Sequence, residues 1–447
     1  MKLLVFTPAL KASAIGRMTS LVTRELASSG HEVAVVRTEA QQHLTSATHN
    51  FNAELIPWTD GPSIVDLARH ADALVYQVGD NYDFHRGVVE WLPHYPGLVC
   101  LHDFFLGHLF YGWAQSHRMQ AEATLRAWYG NDVASRFFGH STSDAFIEGT
   151  REASPMTEWI GSMAYGVITH SNWGIERVVN SCPGPVEVVP LAYNITAPLA
   201  SESIEKRSTA AAPRFQVLTI GHVNSNKRAT SVIQAIGNSK TLREKTSYRL
   251  IGHIQPETKA DLLALAERCQ VNVVISGEVR DEILAEAIRD ADVVSCLRWP
   301  TLEAASASAI EAMLFGKPVI VTNAGFYSEI PDTCVVKIDP HDEVDSIQSA
   351  LEFLLSDQQR RQLLAQAAKS WASQTFCPQN YAARLLDMAC STSKARPALA
   401  AIDQLMRISQ RWGGSGEILA LEDTVRPLAI LSSLDQTEPS SLNVVTR

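Results

Sequence analysis

The sequence predicts an α/β protein built as two Rossmann-like, doubly wound domains that face each other across a cleft. Three observations predict it. The 447 residues are too many for one compact domain and suit two of about 200 residues each. Short apolar runs alternate with amphipathic stretches of about ten residues, as parallel strands alternate with crossover helices. A polar segment without periodicity, 196–213, divides two runs of that alternation.

The first run makes an N-terminal domain, 1–195. Leu3 to Phe6 reads as a strand and Ala9 to Arg17 as a loop. A helical pattern (Met18, Leu21, Val22, Leu26) ends at Ser29-Gly30, and a second strand spans His31 to Val36. Gly16 is the only glycine of the loop, so no dinucleotide fingerprint is present. It reads either as a turn glycine or, with Arg17, as a residue facing a phosphate or acceptor. Strands follow at Ala73–Tyr76 and Leu98–Leu101. His102 and Asp103 stand directly after the latter, beyond a strand's carboxyl end, where open α/β sheets bind ligands.

An insertion at about 104–164 breaks the alternation with helices rich in aromatics (Phe104, Phe105, Phe110, Tyr111, Trp113). Core packing is its first reading, and contact with a membrane surface is the alternative. Gly166 to His170 resumes as a strand. Ser171 reads as a helix N-cap, and Val186 to Val189 forms the last strand.

The second domain, 214–375, is more regular. Strands at Phe215–Ile220, Tyr248–Ile251, Val271–Ile275, Val293–Cys296 and Val319–Val321 alternate with helices. A helix at 376–393 is expected to cross the domain junction. The tail 394–447 is assigned no role.

Composition narrows the partners. The 48 acidic against 38 basic residues give a net charge of −10, which argues against nucleic acid. The seven cysteines are scattered without Cys-x-x-Cys spacing and fit free thiols in a reducing compartment. No apolar run approaches the roughly 18 residues of a membrane span. A soluble cytoplasmic protein is expected, with a peripheral membrane contact as its variant.

The chemistry concentrates in Leu297 to Pro318. Glu303 sits on a loop after a strand, and Glu311 lies eight positions on, within a helix. Small residues fill the gap, and a helix starting near Ser306 would turn free N–H groups toward an anion. Glu311 also stands at capping-box spacing from Ser308, the bland reading for that residue. Lys227, in the polar loop Gly221 to Arg228, and Arg298 are the cations within reach of a diphosphate. Lys227-Arg228 taken alone would be a solvated loop. Metal chemistry finds no motif, because Asp290-x-Asp292 lies at a strand's start, the wrong end of the sheet.

At these residues the chain resembles the retaining glycosyltransferases of GT-B fold often called family 4. Their signature of two glutamates with seven residues between, followed by Ala-Met-x-x-Gly-x-Pro-Val, reads here from Glu303 through Glu311 to Val319. The likeness extends to Asn323-Ala-Gly325, Glu329, Gly221 with Lys227, Ile15-Gly16, His102-Asp103 and His170-Ser171, and spans Met1 to about Leu386.

The resemblance implies transfer of a sugar from a nucleoside diphosphate sugar, with retention and without a required metal or other cofactor. The acceptor would be a carbohydrate, a lipid-linked sugar or a small molecule. Lys227 would bind the diphosphate, Glu311 the ribose and Glu303 the transferred sugar. His102, with Asp103 beside it, would line the sugar and acceptor side, and Gly16 would let the donor approach. Two departures stand out. His222 replaces the family's arginine after Gly221, with Arg298 as the candidate replacement cation, and Ala304-Ala305-Ser306 replaces Gly-Phe-Gly. A non-hydrolysing sugar-nucleotide epimerase and a non-catalytic nucleotide-sugar-binding subunit share the architecture.

Overall fold

Runs that are apolar on both faces become strands inside parallel sheets, covered on each side by crossover helices. The structure, a computed structural model, describes residues 1–195, 214–411 and 413. The expected linker 196–213, and 412 and 414–447 of the tail, lie outside the described residues. The first sheet holds β1 (Lys2–Thr7), β2 (Glu32–Arg37), β3 (Glu54–Pro57), β4 (Ala73–Val78), β5 (Leu98–Leu101), β6 (Gly166–Thr169) and β7 (Val186–Val188). Their order across the sheet is β3-β2-β1-β4-β5-β6-β7. The second holds β8 (Phe215–Ile220), β9 (Thr246–Ile251), β10 (Val273–Ile275), β11 (Val293–Cys296), β12 (Val319–Thr322) and β13 (Val336–Ile338), in the order β10-β9-β8-β11-β12-β13. The paired strands run parallel, β1 beside β2 from Lys2↔Glu32 and β8 beside β9 from Phe215↔Thr246. This is the two-domain GT-B architecture.

Several local expectations are corrected. The first helix starts at Ala14 rather than after Arg17, because Ser13 caps it by accepting from the Gly16 N–H at 3.0 Å. Gly16 is therefore a first-turn residue, not a loop glycine. A Cβ on it would stand 2.3 Å from the Pro8 carbonyl oxygen, so its missing side chain admits the chain's own backbone. Gly16→Ala is expected to lower stability by about 1–3 kcal/mol through overpacking, read as a lower denaturation midpoint. Ser171 caps no helix: the next one spans Ile175–Ser181 and is entered through Gly174 at φ +76°, a left-handed backbone suited to glycine. The edge strands β3 and β13 escaped sequence reading because four and three residues carry little periodicity.

The insertion is helical at Gly107–Ala114, Arg118–Arg136, Ser143–Thr150 and Thr157–Met163. Phe105, Phe110, Phe137 and Trp159 are buried within it, while Tyr111 is exposed. The last helix runs on past 393, from Pro378 through Pro397 to Arg411. It packs on the first helix and on β4–β6 of the N-terminal sheet. Among the described residues no helix is long and apolar enough to cross a membrane. One apolar core joins the two halves through Leu191, Tyr193, Phe376 and Tyr381, so the domains are fastened behind the cleft.

Candidate active site

Strand order reverses direction between β1 and β4, and again between β8 and β11. At such switch points the loops beyond the strands' carboxyl ends part and leave a crevice. The two crevices together enclose a cleft of about 550 Å³. Asp80 after β4, His102 and Asp103 after β5, and His170 after β6 line one wall. His222 and Asn224 after β8, with Glu303, Ala305 and Ala307 after β11, line the other.

Burial keeps the histidines of the first wall neutral. His170 is lowered to about 4 and His85 to about 3, while His102 falls well below its usual value through burial and the neighbouring His170 and His85 rings. His102 Nε2 lies 2.7 Å from Gln77 Oε1, and its ring centroid is 4.7 Å from that of His170. Asp103 is pushed up to about 7 by burial and by the carboxylates of Asp80 and Glu303. Its Oδ2 accepts from the Asp80 N–H at 2.8 Å. Asp80 in turn accepts from the backbone N–H groups of His108 and Leu109 at 2.8 and 3.0 Å, and its Oδ2 lies 2.5 Å from His108 Nδ1. Gly79 makes this crowding possible, since a Cβ there would lie 2.9 Å from Asp103 Oδ2 and 3.0 Å from His85 Nε2.

The second wall gathers the cations. Lys227 is 5% exposed, and its Nζ donates to the Ile220 carbonyl. Gly221, at φ +86°, leaves room for that ammonium, which a Cβ would approach to 2.9 Å. Glu303 Oε1 pairs with Arg298 Nε at 3.2 Å and accepts from the Tyr327 hydroxyl. Arg298 also reaches Ser308 Oγ at 3.3 Å, in the first turn of the helix Ala307–Leu314. Ser306 is that helix's N-cap and accepts from the Ala309 N–H. The cap is therefore Ser306, not Ser308, and the capping-box reading of Glu311 is removed. Glu311 instead faces the other domain, 3.7 Å from Arg17, whose guanidinium also donates to the Tyr193 hydroxyl at 2.6 Å and the Asn194 carbonyl at 3.2 Å. His222 is exposed, and its ring is lowered by burial of part of its surface and by His253 and Lys227. It supplies no fixed cation at neutral pH.

Thus His102, Asp103, His222 and Glu303 line the cleft; Lys227, Arg298 and Ser306 are buried beside Glu303. Gly16, Gly221 and Glu311 contribute no cleft lining. Sequence reasoning left Asp80, His85, Tyr193 and Tyr327 unassigned.

The walls are stitched together. Asp103 and Glu303 form an antiparallel bridge, with Ala304 N–H donating to His102 O at 2.9 Å and Phe104 and Phe105 N–H donating to Leu302 O at 2.9 and 3.1 Å. Glu329 adds a second tie, accepting from the Asn172 and Trp173 N–H groups at 3.0 and 2.8 Å.

Burial, and then Arg298, hold the Lys227 ammonium down to about 7, partly offset by Glu303. An arriving anion would raise it again. The lysine–anion attraction is then complete below about pH 7 and fades as pH rises above it. Nucleoside diphosphate affinity is expected to fall by up to about tenfold per pH unit over that range, with proton uptake on binding. Calorimetry in buffers of different ionisation enthalpy checks both.

Residues 201–371 match the family model described as glycosyl transferases group 1. The second domain is a group 1 glycosyl transferase domain. Its Glu303, Glu311 and Lys227 all fall within the matched residues. The whole chain is similar in fold to sucrose-phosphate synthase from Thermosynechococcus elongatus (14% identity, TM-score 0.61, covering 90% of this chain and 100% of that one). It is also similar to a glycosyltransferase from Rickettsia africae (14%, 0.60, 88% and 98%). Anabaena HepE, solved in complex with UDP-glucose, is a third (16%, 0.57, 87% and 99%). No curated protein matches the sequence. The matched domain thus lies opposite an N-terminal Rossmann-like domain, and the chain as a whole has the fold of these GT-B structures.

Proposed function

We propose that the chain transfers a hexosyl group from a nucleoside diphosphate sugar to an acceptor hydroxyl, with retention at the anomeric carbon and without a metal ion. The observation that carries this reading is the convergence of Lys227, Arg298 and the N-terminus of the helix Ala307–Leu314 beside Glu303, opposite His102 and Asp103. Preorganised cations and N–H groups suit a leaving diphosphate, whose developing charge they offset as the bond breaks. In this reading Arg298, and Lys227 once an arriving anion raises its ammonium, neutralise the phosphates without a metal ion.

In this reading the acceptor oxygen bonds to the anomeric carbon on the face that the diphosphate leaves. The bond from that carbon to the phosphate oxygen breaks, its electron pair goes to the diphosphate, and the hydroxyl proton passes to the departing oxygen. Glu303 holds hydroxyls of the transferred sugar, while Lys227 and Arg298 hold the diphosphate. Ribose binding by Glu311 requires the nucleoside to share that carboxylate with Arg17. The reading includes a cytoplasmic location, supported by seven free cysteines, and peripheral membrane contact where the acceptor is lipid-linked.

The UDP and UDP-glucose bound to Anabaena HepE make UDP-glucose the first donor to try. A thermal-shift screen of nucleoside diphosphate sugars tests the reading, because ligands that bind the folded state raise its melting temperature by mass action. At least one is expected to stabilise the protein and to release its nucleoside diphosphate on incubation with acceptor. Binding without release would identify a non-catalytic subunit.

A further inference from the structure

The reaction proposed above leaves its acceptor open, and this inference rests on that reading. The N-terminal wall of the cleft sets neutral histidines beside the carboxyl groups of Asp80 and Asp103. His170 Nδ1 donates to the Val189 carbonyl at 3.0 Å, which leaves Nε2 as a bare acceptor. That nitrogen is buried and without a partner, as is Nδ1 of His85, whose ring is held by the Gln77 main chain. His102 spends its Nε2 proton on the Gln77 side chain. A neutral imidazole carries one proton, so His102 keeps a lone pair on Nδ1 at the cleft wall, while the unpaired nitrogens of His85 and His170 are fully buried behind it. Beside them stand the carboxyl groups of Asp80 and Asp103.

No lysine or arginine is among the described residues that line the cleft. The cations nearby are taken up elsewhere: Arg17 pairs with Tyr193 and Glu311, and Arg298 and Lys227, on the second wall, hold the diphosphate in the reading above. The remaining donors of the walls are neutral, chiefly the amides of Asn81 and Asn224. Asp80 and Glu303 both act on Asp103 and raise it, so an acceptor anion brought beside Asp103 would add to that repulsion and a hydrogen-bond donor would relieve it.

We propose that the acceptor is a polyhydroxylated compound that bears no phosphate or carboxylate next to its reacting hydroxyl. It meets His102 and Asp103 with hydroxyl or ammonium donors. A neutral sugar and an amino sugar share that chemistry; a sugar phosphate adds an anion to it.

The test uses the wild-type chain with the nucleoside diphosphate sugar found by the thermal-shift screen. Release of nucleoside diphosphate is followed with glucose, glucosamine and glucose 6-phosphate, matched in shape and different in charge. Glucose or glucosamine is expected to accelerate release about tenfold or more over glucose 6-phosphate, the size of effect a like-charge juxtaposition produces. Glucosamine above glucose assigns the ammonium as the favoured donor, and glucose at or above glucosamine assigns the hydroxyl. If none accelerates release, the three are compared as inhibitors of basal donor hydrolysis, with the same ranking expected. Equal ranking, or glucose 6-phosphate foremost, overturns the proposal. Failure of the underlying reading would appear earlier and separately, as a screen in which no nucleoside diphosphate sugar binds.

Discussion

Lys227→Ala is expected to weaken nucleoside diphosphate binding by on the order of 100-fold, since truncating one partner of a buried charge pair costs several kcal/mol. The magnitude follows from burial. Lys227 is 5% exposed, so water screens its attraction to a phosphate little, unlike an ammonium on a surface loop. The substitution also removes the donor from the Ile220 carbonyl, so a melting curve of the variant accompanies the titration. Calorimetric titration with UDP and GDP reads the effect. Unchanged affinity in a folded variant would move the diphosphate to Arg298 and the helix N-terminus alone.

Glu303→Gln is expected to lower kcat by about 100- to 1,000-fold, the range seen when one preorganised electrostatic contact to a transition state is lost. Nucleoside diphosphate binding should change little. The exchange keeps the shape of the side chain and removes its charge. Arg298 then loses its ion pair, and the Tyr327 hydroxyl bonds a neutral amide in place of a carboxylate. Initial rates at saturating donor, set beside the binding constant of the nucleoside diphosphate, separate the two effects. Wild-type turnover would take Glu303 out of the mechanism.

Strand–helix alternation was legible because burial on both sheet faces leaves continuous apolar runs such as Leu98–Leu101. The loop chemistry of the second domain was legible too, because Lys227, Arg298 and Glu303 lie on loops directly after β8 and β11. What escaped was whatever depends on contact between distant segments. Tyr327 looks in sequence like an aromatic for the core, and only the fold turns its hydroxyl to Glu303. Glu311 stood at capping distance from Ser308, and backbone geometry gave the cap to Ser306 instead.

Asp80 is a different case, since the positional rule that singled out His102 and Asp103 after β5 points equally to the residues after β4. Its significance lay hidden in His108, on an insertion that carries no strand signal. Neutral histidines were equally out of reach, because a depressed titration is a property of surroundings and not of spelling.

The stitched loops carry a consequence for how such a protein diversifies. The rungs that set Asp103 against Glu303 run through the carbonyls of His102 and Leu302 and the N–H groups of Phe104, Phe105 and Ala304. Every amino acid but proline can supply an N–H, and every one supplies a carbonyl. Alignment of the two half-sites is thereby written in main chain, while recognition is written in side chains. Substitutions that exchange one sugar for another can accumulate around the cleft without throwing the halves out of step. A proline at 104, 105 or 304 would do the reverse, leaving every recognition group in place and the two halves unregistered.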